Sequence, residues 1–498
     1  MITVIRQETE RQTVLEIILN TITDEKRGAI LENGKVVEWL VELPAGTARV
    51  GDIYKGRVTK VLPGMEAAFV DLGIGKDGYL HSKDVRATDG GKKPIASCVK
   101  QGQEVLVQVA KEEMSTKGPK LSEFIQLPGQ SIVYLPYSDY VAVSKRLGED
   151  ELRKEWRTFG QETVEAPEGI IIRTVAKELS MDQVRQELDV LREMFRDSLV
   201  DSKEKGAPAL VFEGGSMILQ VARNYAHRPN TKITIDHPKD YTFLTRWLRM
   251  NPFEQAEVRL HKERGGIFTV FDLEKKLEHV FSKQVWLKNG GSLIIEETEA
   301  MTVIDVNTGK FTGKTSLEDT VVKANCGAAV AVAEQLRLRD LGGIIIVDFI
   351  DMEDEKSQEL VLKTLNDALR EDRTRTTVIG FTKLGLVEMT RKKARSTVAE
   401  RLTESCTVCE GKGLVRSAQS LYFALERELL EMQDTEAVVI SAGKELGEYL
   451  DTGRHRHSLE EKTGVRVFFT QTEGLGYSVR FAGELEDAKG FWNRQTGD

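Results

Sequence analysis

The chain has 498 residues, 40% apolar and 30% charged, with 70 basic side chains against 79 acidic ones and a net charge of −9. That length exceeds what one hydrophobic core organises, so several units are expected, and the acidic total gives no sign of a polyanion partner beyond what a local basic patch could hold. The first residues lack the basic-then-apolar pattern of a secretion signal, no apolar run approaches the ~18 residues of a membrane span, and four cysteines are too few for a disulfide framework, so a reducing cytoplasm is expected.

Residues 1–46 read as short strands, "TVLEIILN" and "RGAILENGKVVEWLVEL". From Val50 the texture is regular β, "VGDIYKGRVTKVLPGMEAAFVDLGIGKDGYLHSKDV", then "GQEVLVQVAKEE" and "KLSEFIQL". Five short strands with Gly and Pro turns predict a small barrel over 47–123. Tyr54, Phe69 and Tyr79 are interleaved with Lys55, Arg57 and Lys117 along it. Rings stack on bases while cations track the backbone, which is what an OB-type single-strand binder needs. The competing reading puts half of these aromatics in the core, Phe69 among them, since Ala68 and Val70 flank it.

Residues 124–218 mix strands with one clear helix, "SMDQVRQELDVLREMFRDSLV", opening on Ser180. Before it, the apolar strand "EGIIIRTVAKE" ends in Arg173 and Thr174. A guanidinium beside a hydroxyl suits a terminal phosphate, and an ordinary strand end is the bland alternative. Residues 219–280 return to mixed α/β, and "VWLKNGGSLIIEE" is a hairpin pattern around Asn289-Gly290.

The stretch 281–402 carries the chemistry. "AMTVIDVNTGKFTG" is a strand ending in Asp305, with Asn307 two residues on and therefore on the same face. "TSLEDTVVKANCGAAVAVAEQLRLRDLGG" predicts one helix, with Ser316 and Asp319 in a capping-box-like start and Gly342 and Gly343 at its stop. "IIIVDFIDMED" is a second strand, ending in Asp348 and Asp351. Strand, helix, strand of this length is a crossover unit, so the strands run parallel and Asp305 and Asp348 meet at one sheet edge. Two carboxylates and an amide offer hard oxygens that suit Mg²⁺ or Mn²⁺, which could activate water on a phosphodiester. Acids capping strand ends are the bland alternative. The carboxylates are expected to be buried at their roots, a costly arrangement unless a cation joins them. The basic runs "LRLRD", "LREDRTRTT" and "TRKKARSTVAERL" lie nearby and are expected to grip an RNA backbone, where isolated helices would show them as solvated faces.

In 403–415, "ESCTVCEGKGLV" holds Cys406 and Cys409. Cys326 is expected to pack inside a helix and Cys98 to be a half-buried thiol. A redox pair, a zinc site completed within the chain and half a zinc site completed by a second copy all remain open at this point.

Taken together, these residues resemble the ribonuclease E/G family over nearly the whole chain. The likeness rests on "IYKG" and "EAAFVD" in the barrel, "IRT" in the middle and "EAMTVIDVN". "AEQLRLRDLGGIIIVDFIDM", "GLVEM" and the Cys-x-x-Cys-x-Gly-x-Gly knuckle follow in family order. The chain ends soon after its small domain, which suggests the shorter G-type members. The resemblance implies a multidomain α/β fold: an RNase H-like subdomain (1–46 and 219–280) interrupted by an S1-type OB domain (47–123) and a 5′-sensor (124–218). A DNase I-like catalytic subdomain (281–402), a zinc-link (403–415) and a small oligomerisation domain (416–498) follow. It implies that Asp305 and Asp348 hold catalytic magnesium and that Asn307 positions the scissile phosphate or the attacking water. Arg173 and Thr174, with the backbone near Val133, would read a 5′-monophosphate, and Phe69, Tyr79 and Lys117 would grip RNA. Cys406 and Cys409 would share zinc with the same pair of another subunit, giving a homodimer and, at the larger scale, a dimer of dimers. Two departures stand out: Thr407 replaces the usual proline of the knuckle, and "IFTVFD" at 267–272 lacks a His-Tyr-Gln run of some relatives, leaving water activation to the metal.

The expected function is a magnesium-dependent endoribonuclease of single-stranded, A/U-rich RNA that leaves 5′-phosphate and 3′-hydroxyl ends in rRNA 5′-end maturation and mRNA decay. It would have no membrane span and no nucleotide cofactor. The rival is a non-catalytic OB-fold RNA-binding protein with a structural zinc.

Overall fold

The computed structural model describes residues 14–496 apart from 45, 87–92, 114–116, 251–255, 309–316, 394, 410 and 453. Ser316, the expected helix cap, lies outside the described residues. The chain forms two compact units, residues 1–402 and 403–498. No described helix is long and apolar enough to cross a membrane.

The first sheet of the larger unit is assembled from two distant pieces of chain. Leu15–Asn20 pairs antiparallel with Lys26–Glu32, which pairs with Lys35–Glu42. On its other side Leu15–Asn20 runs parallel to Thr231–Ile235, itself parallel to Glu257–Leu260. Ile17, Leu19, Ile30 and Ile233 pack beneath the helices Met217–Tyr225 and Pro238–Met250.

Between these pieces the expected barrel is present. Ile53–Leu62 pairs with both Ala67–Asp71 and Glu104–Lys111. Gly78–His81 and Lys120–Ser122 complete a closed ring of five strands. Closure leaves little room inside, and a Cβ on Gly78 would lie 2.5 Å from a Leu121 methyl. A small sheet of Leu127–Pro128, Ile132–Leu135, Gly169–Ile172 and Val141–Val143 follows, packed against the helices Asp150–Thr163 and Met181–Ser202.

The sheet that carries Asp305 and Asp348 has six strands, in the order Gln284–Trp286, Ser292–Glu297, Met301–Asn307, Gly343–Asp348, Val387–Arg391, Thr376–Phe381. Its one parallel pair is the expected crossover, Met301–Asn307 beside Gly343–Asp348. The helix Leu317–Arg339 closes that crossover and packs on the sheet through Ala328, Ala329, Val332 and Leu336. Its stop differs from expectation: Asp340, not a glycine, takes the left-handed conformation after the helix, with φ 55°, and Gly343, φ 98°, opens the next strand. Asp340 is held there by Arg391 and Arg395, which reward a carboxylate where glycine would be the default.

In the smaller unit, Ala437–Gly443 is the central strand, parallel to Arg466–Thr472 and antiparallel to Tyr477–Gly483. Leu425, Leu446, Leu450 and Leu459 cover one face, and Ala488, Phe491 and Trp492 the other.

Candidate active site and RNA-facing surfaces

Alternation along Met301–Asn307 decides which side chains face outward. Thr302, Ile304 and Val306 are buried, whereas Val303, Asp305 and Asn307 face the open side of the sheet. Asp305 and Asp348 are register partners across the parallel pair, so their backbones lie about 5 Å apart. Asn307 Nδ2 donates to Asp305 Oδ2 at 2.8 Å. Contrary to the expected burial at the root, both aspartates are exposed. An "IIIV" run reads as a buried strand, but Ile344 is 48% exposed because no layer covers that side among the described residues.

Among the described residues neither carboxylate has an ion-pair partner, and no group of three or more His, Cys, Asp or Glu side chains is arranged to hold a metal ion. Two adjacent carboxylates without a cation fit Mg²⁺, which keeps several waters and takes one or two protein carboxylates. Asp351 lies beyond the strand, which ends at Asp348. The segment that follows is fixed by Asn325, fully buried in the crossover helix. Its Nδ2 donates to the Ile350 carbonyl at 2.8 Å and its Oδ1 accepts from the Ile350 amide at 3.1 Å. Sequence reading missed this residue; a polar side chain amid the small apolar residues of the helix was the available signal.

On the barrel, Phe69 and Tyr79 are register partners, half-buried, with ring centroids 6.1 Å apart. Lys117 is exposed and stands two residues before Pro119, whose carbonyl accepts from the Tyr79 amide at 2.7 Å. Three interleaved residues do not join this surface. Tyr54 is 4% exposed and belongs to the barrel core. Lys55 Nζ donates to the Lys205 carbonyl at 2.7 Å, and Arg57 to Glu104 at 2.9 Å and the Ala207 carbonyl at 3.2 Å.

The basic runs also divide. Arg337, Arg339 and Arg391 are buried, against the expectation that these runs face RNA. Arg391 is paired to Asp340 at 2.8 Å and Asp372 at 2.7 Å, and Arg337 to Glu32 at 2.8 Å. Burial works against the charge of Glu38, yet Arg373, Arg395, Tyr225 and Arg337 hold its carboxyl below the usual range. Arg373, Arg375 and Lys392, together with Arg391, line a cavity of about 760 Å³ that also receives Arg173, Arg223 and His227.

Arg173 caps its strand, donating its amide to the Ser131 carbonyl at 2.7 Å and a guanidinium N–H to the Gly129 carbonyl at 2.8 Å. That loop is fastened by Glu187, fully buried, which accepts from the amides of Gln130 and Ser131 and from the Ser131 hydroxyl. Burial pushes the Glu187 carboxyl up despite these donors and Arg173. Glu187 sits in the helix's apolar stripe between Val184, Leu188 and Leu191, an unnoticed sign of a buried carboxylate. Thr174 does not line the cavity; its hydroxyl pairs with Ser144 at 3.0 Å. Val133 lies inside the sheet opposite Ile171, two residues before Arg173. Deeper in the cavity, Arg223 has no hydrogen-bond or salt-bridge partner among the described residues, and burial followed by repulsion from Arg173 and Arg373 holds it down at about 10. A lone arginine in the apolar helix "MILQVARNY" was its sequence signal.

In the smaller unit, the Gly413 amide donates to Cys409 Sγ at 3.3 Å and the Lys412 amide to the Cys409 carbonyl at 2.8 Å. Gly411 and Gly413 have φ of 80° and 68°, so the turn requires residues tolerant of left-handed backbone. The backbone N–H groups of Cys409 and Val408, then the Cys409 side chain, push the Cys406 thiol down. Cys98 and Cys326 are half-buried, Cys326 packed against the core of the sheet that carries Asp305 and Asp348.

Residues 126–394 match the model of the ribonuclease E/G family, and residues 47–123 that of the S1 RNA-binding domain. The chain belongs to the ribonuclease E/G family. It is 36% identical over 450 residues to ribonuclease G of Haemophilus influenzae, spanning 88% of this chain and 92% of that one. It is 35% identical over 467 residues to ribonuclease G of Escherichia coli K12, 91% and 95% of the two chains. Ribonuclease E of Haemophilus influenzae is 30% identical over 92% of this chain but 51% of its own length. As a member of this family the chain is an endoribonuclease with an S1 domain, which sets aside the non-catalytic alternative.

Proposed function

We propose that this endoribonuclease hydrolyses single-stranded, A/U-rich RNA with magnesium (or manganese) held by Asp305 and Asp348, leaving 5′-phosphate and 3′-hydroxyl ends. The observation that carries the proposal is the in-register pair of exposed carboxylates, with Asp305 hydrogen-bonded to Asn307 and neither with a cationic partner among the described residues. When bound, the metal supplies Lewis-acid polarisation of a phosphate oxygen and a more acidic water. Asn307 fixes the Asp305 carboxylate and keeps an amide beside it for a phosphate oxygen or the attacking water. Asn325 fixes the backbone that carries Asp348. The "IFTVFD" segment offers no histidine base, and its Ile267 and Phe268 are buried beside Trp39.

RNA enters along Phe69, Tyr79 and Lys117 of the S1 domain. Arg173 meets the 5′-monophosphate, supported by the cations of its cavity; Thr174 could join only by turning from Ser144, with the Val133 backbone alongside. Cys406 and Cys409 supply two thiolates of a zinc site completed by a second copy, and the exposed Val408, Leu414 and Val415 around them suit such an interface. The homodimer so formed, alone or as a dimer of dimers, works on rRNA precursors and mRNA in the cytoplasm. The first sheet, antiparallel through Lys35–Glu42 and parallel through Glu257–Leu260, supports an RNase H-like subdomain, and the six-stranded sheet a DNase I-like one.

The test is cleavage of a short unstructured RNA with and without magnesium, followed by analysis of product ends. Metal-dependent cuts with 5′-phosphate termini are expected; metal-independent cutting to 2′,3′-cyclic ends would overturn the reading.

A further inference from the structure

The hairpin edge of the catalytic sheet carries one large ring on the same face as the carboxylates. Val285 and Leu287 pack against the core, whereas Trp286 between them turns to the opposite side and is 70% exposed. Among the described residues no ring or cation–π contact involves it. Trp286 is the register partner of Ser292, and Ser292 that of Asn307. Side chains directly opposite in an antiparallel pair share a face, so the indole stands in the Asn307 row, beside Asp305 and Asp348. Two strand spacings put its backbone about 10 Å from that of Asn307. Ser292, the residue between them, is small, and its hydroxyl accepts from Gln284 Nε2 at 3.2 Å, so the row itself carries no large side chain between ring and amide. A stacked strand covers ~10 Å in about three nucleotides, and an extended strand in fewer.

We propose that Trp286 is a stacking platform for one RNA base within about three nucleotides of the scissile phosphate. The proposal rests on the Asp305–Asp348 reading of the active site. Leaving a whole indole in water is unfavourable, and its apolar π-face suits a base and not a phosphate. A second copy seated on the indole would crowd the approach to Asp305 and Asp348, two and three strands away, so RNA is the occupant that leaves the site usable. Stacking engages the π-face common to every base, so the platform holds position without reading sequence. It adds a grip at the cut itself, separate from the S1 surface.

The experiment uses the full chain in an Asp305→Asn background, so that a short 5′-hydroxylated RNA is bound and not cut. A single abasic nucleotide is moved stepwise across the cleavage position, and affinity is measured with Trp286, Trp286→Phe and Trp286→Ala. With Trp286, one abasic position near the cut is expected to weaken binding roughly ten-fold. Trp286→Ala should weaken the intact RNA by a similar factor and be indifferent to that abasic position, while Trp286→Phe retains most of the effect. Additive losses, or no abasic position that depends on Trp286, would overturn the platform. So would a change of oligomeric state in Trp286→Ala without such coupling, which would assign the indole to an interface between copies. If Asp305→Asn still cuts RNA, the catalytic reading fails visibly in the same samples, independently of the binding result.

Discussion

Asp305 and Asp348, 43 positions apart in sequence, are register partners on the one parallel strand pair of their sheet. The crossover helix that brings them together also supplies Asn325, which clamps the Ile350 backbone from both sides. The carboxylate pair and its support are thus built from one strand–helix–strand unit.

Replacing Asn325 by Ala should leave the Ile350 amide and carbonyl without these partners in a half-buried setting. Stability is expected to fall by about 1–3 kcal/mol, with slower cleavage and unchanged RNA affinity. Denaturant titration and single-turnover kinetics check this. Loss of stability with turnover intact would make Asn325 a packing residue with no bearing on Asp348.

Arg173→Ala and Arg223→Met should each slow cleavage of 5′-monophosphorylated RNA and barely affect a 5′-hydroxylated one. Loss of a charged donor to phosphate is worth about 1.5–3 kcal/mol, roughly ten- to a hundred-fold. Paired kinetics on the two RNAs decide the matter. Equal slowing on both would assign these guanidiniums to the general RNA path or to folding.

His227 gives the cavity a pH signature. Burial, then Arg228, Arg173 and Arg373, hold its imidazole down at about 4. Below about 6.5 the unfolded chain takes up a proton there that the folded chain refuses, so this contribution is whole above 6.5 and is lost as pH falls towards 4. His227→Gln should therefore flatten part of the decline in stability over that window. Parallel denaturation curves at pH 7 and pH 5 for the two proteins would show it, and identical slopes would contradict it.

Cys406→Ser with Cys409→Ser should release zinc and split the oligomer while leaving Asp305 and Asp348 untouched. One zinc per two chains is expected before substitution, because the knuckle provides two of the four ligands of a closed site. Elemental analysis with light scattering measures both. One zinc per chain, or an unchanged oligomer, would refute sharing.

The placement of Asp305 and Asp348 could be read from sequence because alternation and a crossover length fix which face and which edge they occupy. Their exposure could not, since "IIIV" does not tell whether a second layer covers the strand. Interleaved aromatics and cations suggested the barrel surface, yet Tyr54 and Lys55 are neighbours and must point to opposite sides. The partners that occupy Lys55 and Arg57, the carbonyls of Lys205 and Ala207, come from 150 positions away. Arg337 and Arg391 looked like RNA-facing cations for the same reason: Glu32 and Asp372, which neutralise them, join them only through the tertiary fold. Glu187 and Arg223 are charges within apolar helix faces, a local sign whose meaning depends on what the face packs against.

The most direct test of the central claim is magnesium-dependent cleavage of one short single-stranded RNA by the parent chain, Asp305→Asn and Asp348→Asn, with affinity for the same RNA measured alongside. The account predicts that either substitution abolishes turnover across the magnesium titration while affinity stays within a few-fold, because the S1 surface is intact. Near-normal magnesium-dependent turnover in either variant would contradict it.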